Sequence, residues 1–307
     1  VPQHFDIIGD IHGHADALRM LLLDLGYHPH GHGFRHPDRQ ALFVGDLIDR
    51  GPEIANAIRI VRTMVDAGDA VVVMGNHEFN AVAFHTAVPG TKDRWFREHS
   101  RKNQKQHQAT LDQLSNSELA DAVAWFRTLP VAIEQNGVRV VHAAWQDDQI
   151  DEIRRSLQTR GRFTAEFFFD AMQTGSDRHA AIEDVLKGPE IRMPPGQQIR
   201  DKSGHPRDTV RVKWYEAANG RTYRGYHLGS DDVPDIAIAP GVLKNQDGYR
   251  PDAPPVFVGH YWLTGTPTPL ASNVVCTDYS VAKGGKLVAY RWDGESVLSA
   301  KKFHWVH

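Results

Sequence analysis

Short apolar runs in the first quarter of the chain stop repeatedly at a glycine followed by a polar residue. FDIIGD (5–10), ALFVGD (41–46) and DAVVVMGN (69–76) each read as a buried strand ending in Gly-Asp or Gly-Asn. Between them, ADALRMLLLDLGY (15–27) and PEIANAIRIVRTMVDAG (52–68) place apolar residues at helical spacing, the second with Pro52 near its first turn and Gly68 near its end. That alternation predicts an α/β fold. Residues 93–129 read as polar helix anchored by Trp95, Phe96, Trp125 and Phe126, VRVVHAAW (138–145) as a fourth strand, and 151–187 as further helix.

The pattern then changes. Residues 188–255 hold nine of the 17 prolines and read as an irregular insertion with a few strands such as TVRVKWY (209–215). After it, PPVFVGHYW (254–262), NVVCTDYS (273–280), KLVAYRW (286–292) and VLSAKKF (297–303) read as four consecutive β-strands. The chain is expected to be one domain over 1–307, with 188–255 as a variable cap that shapes the substrate site. YHPHGHGFRHPDR (27–39) has loop composition and reads as solvated loop rather than a metal tract, and FFF (167–169) reads as packing.

Composition narrows the function classes. A formal net charge of −3 in 307 residues gives no global field that would require nucleic acid or an anionic membrane as partner. No apolar run approaches a transmembrane span. The single cysteine, Cys276, excludes an intrachain disulfide framework and fits a reducing, cytoplasmic setting. Histidine is the outlier, with 18 residues, several of them at strand ends.

Those strand ends collect Asp10 and His12, Asp46, Asn76 and His77, His142 and His260. An aspartate is rarely buried without a partner. Carboxylate, imidazole and amide oxygen suit borderline to hard divalent ions, and the lack of cysteine among them argues against a structural zinc cage. Two ions about 3.5–4 Å apart, bridged by one carboxylate, would use so many ligands economically and would suit phosphoester hydrolysis.

GDIHG (9–13), GDLIDRGP (45–52) and GNHE (75–78), in this order and spacing, resemble the signature of the phosphoprotein phosphatase branch of the calcineurin-like metallophosphoesterases. His142 in VVHAAW and His260 in FVGHYW resemble the two later histidines of that family, and the likeness covers about 4–187 and 255–293. NVVCTDYSVAKGGKLVAYRW (273–292) is also similar to the closing segment of bacterial members, including symmetrical diadenosine tetraphosphatases and the phosphatase module of polynucleotide kinase-phosphatase. The resemblance implies two mixed β-sheets packed face to face and flanked by helices. It implies that Asp10, His12 and Asp46 hold one divalent metal and that Asp46, Asn76, His142 and His260 hold a second, manganese first, with iron or zinc as alternatives.

The same resemblance implies direct attack by a metal-bridging hydroxide. Arg50 would grip phosphate oxygens beside Asn76, His77 would protonate the leaving oxygen, Asp49 would orient His77, and Glu78 would support rather than ligate. Relatives present a second cationic phosphate contact, for which Arg192 and Lys187 in DVLKGPEIRMPPG (184–196) are the candidates. Lys187 to Arg224 carries nine Lys or Arg against four Asp or Glu, a local excess suited to a phosphorylated substrate. GHYWLTG (259–265) and TDYS (277–280) depart from the family pattern and are expected to alter the pocket wall rather than the ligands. The expected activity is a serine/threonine-type protein phosphatase or broad phosphomonoesterase, acting on a phosphorylated peptide or a small phosphoester or nucleotide. The alternatives are a symmetrical dinucleoside tetraphosphate hydrolase and, in another class, a catalytically silent phosphate-binding protein.

Overall fold

The computed structural model describes residues 4–157, 161–200, 206–229, 233–239, 241–242 and 247–307. The strand His4–Ile8 pairs parallel with Arg39–Phe43, which pairs parallel with Ala70–Val72. Lys286–Trp292 runs antiparallel to His4–Ile8 and also pairs with Asp278–Tyr279 and Phe303–Val306, giving a six-stranded sheet. A second sheet of four strands is ordered Val274–Cys276, Val256–Val258, Val138–Val141, Ala132–Gln135, with only the last pair antiparallel.

Side-chain alternation stacks the layers. Phe5, Ile7, Leu42 and Val44 meet Val138, Val140, Phe257 and Val275 in one apolar layer between the two sheets. Ile8, Ala41 and Phe43 point the opposite way, into a core covered by helices Ala15–Asp24 and Ile54–Asp66 through Leu18, Leu21, Val61 and Met64. Strands buried on both faces read as continuous apolar runs, which is why these were visible in the sequence. Asp6 interrupts one of them and is fully buried, and Arg39 Nε and Arg291 Nε each donate to it at 3.0 Å. Paired in this way, its charge is tolerated in the core.

The two sheets are stitched together at Thr277. Val274–Cys276 belongs to the smaller sheet and Asp278–Tyr279 to the larger, so NVVCTDYS is two short strands in different sheets rather than one. Gly9 makes room for this crossing, since a Cβ there would lie 2.1 Å from the Thr277 carbonyl oxygen.

Three other segments differ from expectation. VLSAKKF is a 3₁₀ turn at Ala300–Lys302, preceded by Ser299, whose Oγ accepts from Lys301 N; the strand begins only at Phe303. Residues 27–39 contain a hairpin, His28–His30 with Gly33–Arg35, because Phe34 buries itself against the core while the histidines of the first strand stay exposed. Helix over 151–187 resolves into Asp147–Leu157, Ala165–Ala171 and Asp177–Lys187, the last two starting after Thr164 and Ser176, with Gly161 and Gly175 at positive φ ahead of them.

Within 188–255, Glu190–Arg192 pairs with Thr209–Arg211, and Ile199–Arg200 with Pro206–Arg207. The strand stops at Arg211 rather than running through TVRVKWY, because the chain turns at Lys213, whose carbonyl accepts from Glu216 N at 2.8 Å. Ile191, Val210, Val212, Tyr223 and Tyr226 form a small core of this region's own, while Trp214 and Tyr215 join the main one.

Candidate active site

Each chemistry-bearing loop leaves the carboxyl end of a strand: Asp10 and His12 after His4–Ile8, Asp46 to Arg50 after Arg39–Phe43, and Asn76 and His77 after Ala70–Val72. His142 and His260 follow Val138–Val141 and Val256–Val258 in the second sheet. This edge is where α/β sheets gather ligands. Six of the eight non-glycine residues with positive φ among the described residues are here: His12, Asp46, Asp49, Arg50, His260 and Trp262. Such conformations cost on the order of 1–3 kcal/mol each and persist only where the surroundings impose them. Glu78 is one such constraint: buried on the helix Asn76–Phe84, it accepts from Asp46 N (2.9 Å), Leu47 N (2.8 Å), Ile48 N (3.3 Å) and Gly75 N (3.1 Å).

The imidazoles are aimed by backbone carbonyls. His12 donates Nδ1–H to Ile48 O at 2.9 Å, and its buried Nε2 is left without a hydrogen-bond partner, 3.6 Å from Asp46 Oδ2. His142 donates Nδ1–H to Val44 O at 2.7 Å, and its Nε2 lies 3.4 Å from Asp46 Oδ1 and 3.1 Å from Asn76 Oδ1. His260 Nδ1 is 2.8 Å from the same Asn76 oxygen. Two sets of ligand atoms, His12, Asp46 and His77, and Asp46, His142 and His260, each lie within 4.8 Å of one another, and Asp46 belongs to both. Asp10 stands beside them with its oxygens turned to His260 N (3.1 and 3.3 Å), at a spot where a Cβ on Gly259 would come within 2.0 Å of Oδ1.

The electrostatics of the ligand atoms are mixed in sign: against the pull of burial, Asp46 holds His142 above its ordinary value, whereas His12 and His260 are held down. Burial, reinforced by Asp278 and Asp46, pushes the Asp10 carboxyl well above its usual range. Burial, with His77 adding to it, pushes His12 down to about 3, and burial and then Arg211 hold His260 well below its ordinary value. Neutral imidazoles and a crowd of buried carboxylates are what divalent metals take as ligands. The partnerless Nε2 of His12 and the sharing of Asp46 fit two such ions.

Beside this centre, His77 Nδ1–H donates to Asp49 Oδ2 at 2.5 Å, which leaves Nε2 facing Asp46 Oδ2 at 3.9 Å. Against the pull of burial, Asp46 and Asp49 hold the His77 pKa above its ordinary value. Two residues that sequence reading missed complete the support. His107 Nδ1–H (2.8 Å) and the Thr110 hydroxyl (2.6 Å) both donate to Asp49 Oδ1. They are the buried residues of the otherwise polar helix Arg101–Gln113, three apart and hence on one face, and that spacing was the available signal.

Asp49, Arg50, Asn76, His77, Arg211 and Trp262 line a cleft of about 380 Å³. Arg50 lies 4.5 Å over the Trp262 ring, and Trp262 N donates to Asp278 Oδ2 at 2.7 Å, so of the residues that depart from the family pattern Trp262 lines the cleft and Asp278 supports it from behind. Lys187 lines the cleft and is ion-paired with Glu183. Arg192 is not brought there: its side chain is 81% exposed, with Nε 3.8 Å from Asp208. Arg211, which sequence reading passed over, is in the cleft instead, with a buried Nε that lacks a hydrogen bond. Its signal was its place between the buried Val210 and Val212, which turns it to the opposite side of its strand.

The calcineurin-like phosphoesterase family pattern matches residues 4–243. The symmetrical bis(5'-nucleosyl)-tetraphosphatase of Ralstonia nicotianae is 26% identical over 299 residues, 95% of this chain and 89% of that protein. The asymmetrical bis(5'-nucleosyl)-tetraphosphatase PrpE of Halalkalibacterium halodurans is 33% identical over 51% of this chain, which spans 63% of that relative's length. A protein serine/threonine phosphatase from Saccharomyces cerevisiae shares the fold, with a TM-score of 0.53 at 14% identity over 99% of this chain and 78% of that one. The chain belongs to the calcineurin-like phosphoesterase family, metal-dependent hydrolases of phosphoric esters. Among the described residues no helix is long and apolar enough to cross a membrane.

Proposed function

We propose that the protein hydrolyses dinucleoside tetraphosphates symmetrically, diadenosine tetraphosphate and water giving two ADP. The observation that carries this reading is the likeness to a symmetrical tetraphosphatase along 95% of the chain. The likeness to a protein phosphatase is of fold alone, so the expected protein-phosphatase activity becomes the second reading.

Asp10, His12, Asp46, Asn76, His142 and His260 would hold two divalent metals. Bound there, the metals supply Lewis acidity, acidifying water and neutralising phosphate oxygens. Arg50 and Arg211 take the remaining oxygens of the phosphoryl group under attack, with the stack on Trp262 fixing the Arg50 fork. His77 holds a proton at Nε2 on the side of the departing oxygen, a help that is large for an alkoxide and small for the weakly basic phosphate oxygen of ADP. Asp49, pinned by His107 and Thr110, keeps that tautomer in place.

The test is hydrolysis by metal-stripped protein resupplied with Mn²⁺. Diadenosine tetraphosphate should give a higher kcat/KM than a phosphothreonine peptide, with ADP as sole nucleotide product. ATP and AMP as products would make the cleavage asymmetrical, and preference for the peptide would put the protein phosphatase first.

A further inference from the structure

Part of the cleft's lining neither holds a metal nor moves a proton. Arg97 and Lys102 belong to it, with Asn80, Gln106 and Lys187. Arg97 is half-buried, and its guanidinium donates to two neutral amide oxygens, Asn80 Oδ1 at 3.0 Å and Gln106 Oε1 at 2.7 Å. Among the described residues no carboxylate oxygen comes within 4.0 Å of the Arg97 or Lys102 nitrogens. The carboxylates that line the cleft are Asp46 and Asp49, both engaged by the centre.

A half-buried cation with no carboxylate in contact is oriented here by two amides, its desolvation offset only by the longer-range fields of Asp49 and Glu183. A polyanionic ligand would add the close counter-charge it lacks. We infer that Arg97 and Lys102, with Lys187, form a second anion subsite that takes the phosphates of a linear polyphosphate beyond the one under attack. This rests on the reading above, in which the attacked phosphoryl group sits at Asp46. A singly phosphorylated peptide brings one phosphate and has no use for a second run of cations. A tetraphosphate brings three further phosphates, joined to the first and drawn along the same cleft.

The subsite is read with orthophosphate and tripolyphosphate as inhibitors of p-nitrophenyl phosphate hydrolysis, at constant free Mn²⁺. Tripolyphosphate should inhibit at about tenfold lower concentration than orthophosphate. That gap should narrow at least threefold in Lys102→Gln, an exposed position where the fold is not at stake, and further in Arg97→Gln. In the same variants, KM for diadenosine tetraphosphate should rise relative to KM for p-nitrophenyl phosphate. Equal inhibition by the two anions, or a gap unchanged in both variants, overturns the subsite even if the dinucleotide is cleaved. A gap that closes as expected in a protein that does not cleave diadenosine tetraphosphate upholds the subsite, assigns it to inorganic polyphosphate, and removes the dinucleotide reading instead.

Discussion

The loops of the metal centre and the segment 188–255 meet at one cleft but are built in opposite ways. The centre hangs from five strands of two sheets that share one core, and its loops carry six strained backbones clamped by groups such as Glu78. The later segment has strands of two or three residues and a small core of its own, and it contributes Arg211 to the cleft. On the proposed reading, chemistry that tolerates little displacement would fall to the doubly buried sheets, and recognition to a segment with short strands and a small core of its own. Changes in the first region should therefore act on kcat, and changes in the second on KM.

The largest effect is expected at Asp46, the group common to both ligand sets. Asp46→Asn should lower turnover by about 10³-fold or more and reduce the Mn²⁺ bound per chain, read by direct metal analysis. Full metal content with normal turnover would remove Asp46 as the bridge.

Next comes His77→Asn, which should slow release of phosphate from a phosphothreonine peptide by roughly 10²–10⁴ while leaving bound Mn²⁺ unchanged. With p-nitrophenyl phosphate or diadenosine tetraphosphate, whose leaving groups are weak bases that need little protonation, the loss should be far smaller. His107→Gln should show the same leaving-group dependence at about tenfold, because it acts through Asp49. An equal loss on both esters would reduce His107 to a packing residue.

In the second region, Arg211→Ala should raise KM about tenfold with kcat little changed, whereas Arg192→Ala should stay within about twofold. Equal effects of the two would erase the distinction between cleft and surface that the structure draws.

The smallest expected effect concerns acid stability. Burial works to raise the Asp49 pKa, but hydrogen bonds from His107 and His77 prevail and hold it below the ordinary carboxylate value near 4. A carboxylate depressed in this way contributes stability that is complete above its unfolded pKa and is lost as pH falls through the lower folded value. In metal-free protein, Asp49→Asn should therefore melt below wild type at pH 6, with the gap shrinking between about pH 5 and pH 3. A gap independent of pH would contradict the assignment.

The doubly buried strands and the polar residues at their ends were legible because burial on both faces writes a continuous apolar run and chemistry marks where it stops. His107 and Thr110 were not, because a polar helix hides which of its side chains turn inward until Asp49 is there to receive them. Arg192 and Lys187 were the candidates because relatives carry a phosphate contact before the variable segment, and Arg211 was passed over; Arg192 and Arg211 share one face of the ribbon formed by Glu190–Arg192 and Thr209–Arg211, but only Arg211, opposite Glu190, lies at the end that reaches the cleft. NVVCTDYS read as one strand because periodicity records burial and is silent on which sheet a residue joins.

The central claim is a pair of divalent ions sharing Asp46. Its most direct test is calorimetric titration of the metal-stripped protein with Mn²⁺, alongside phosphate release measured at each ratio. Two ions per wild-type chain are predicted, with activity rising as the second binds and both affinities weakened in Asp46→Asn. A stripped protein that hydrolyses at full rate, or one that saturates with a single ion at full activity, would contradict it.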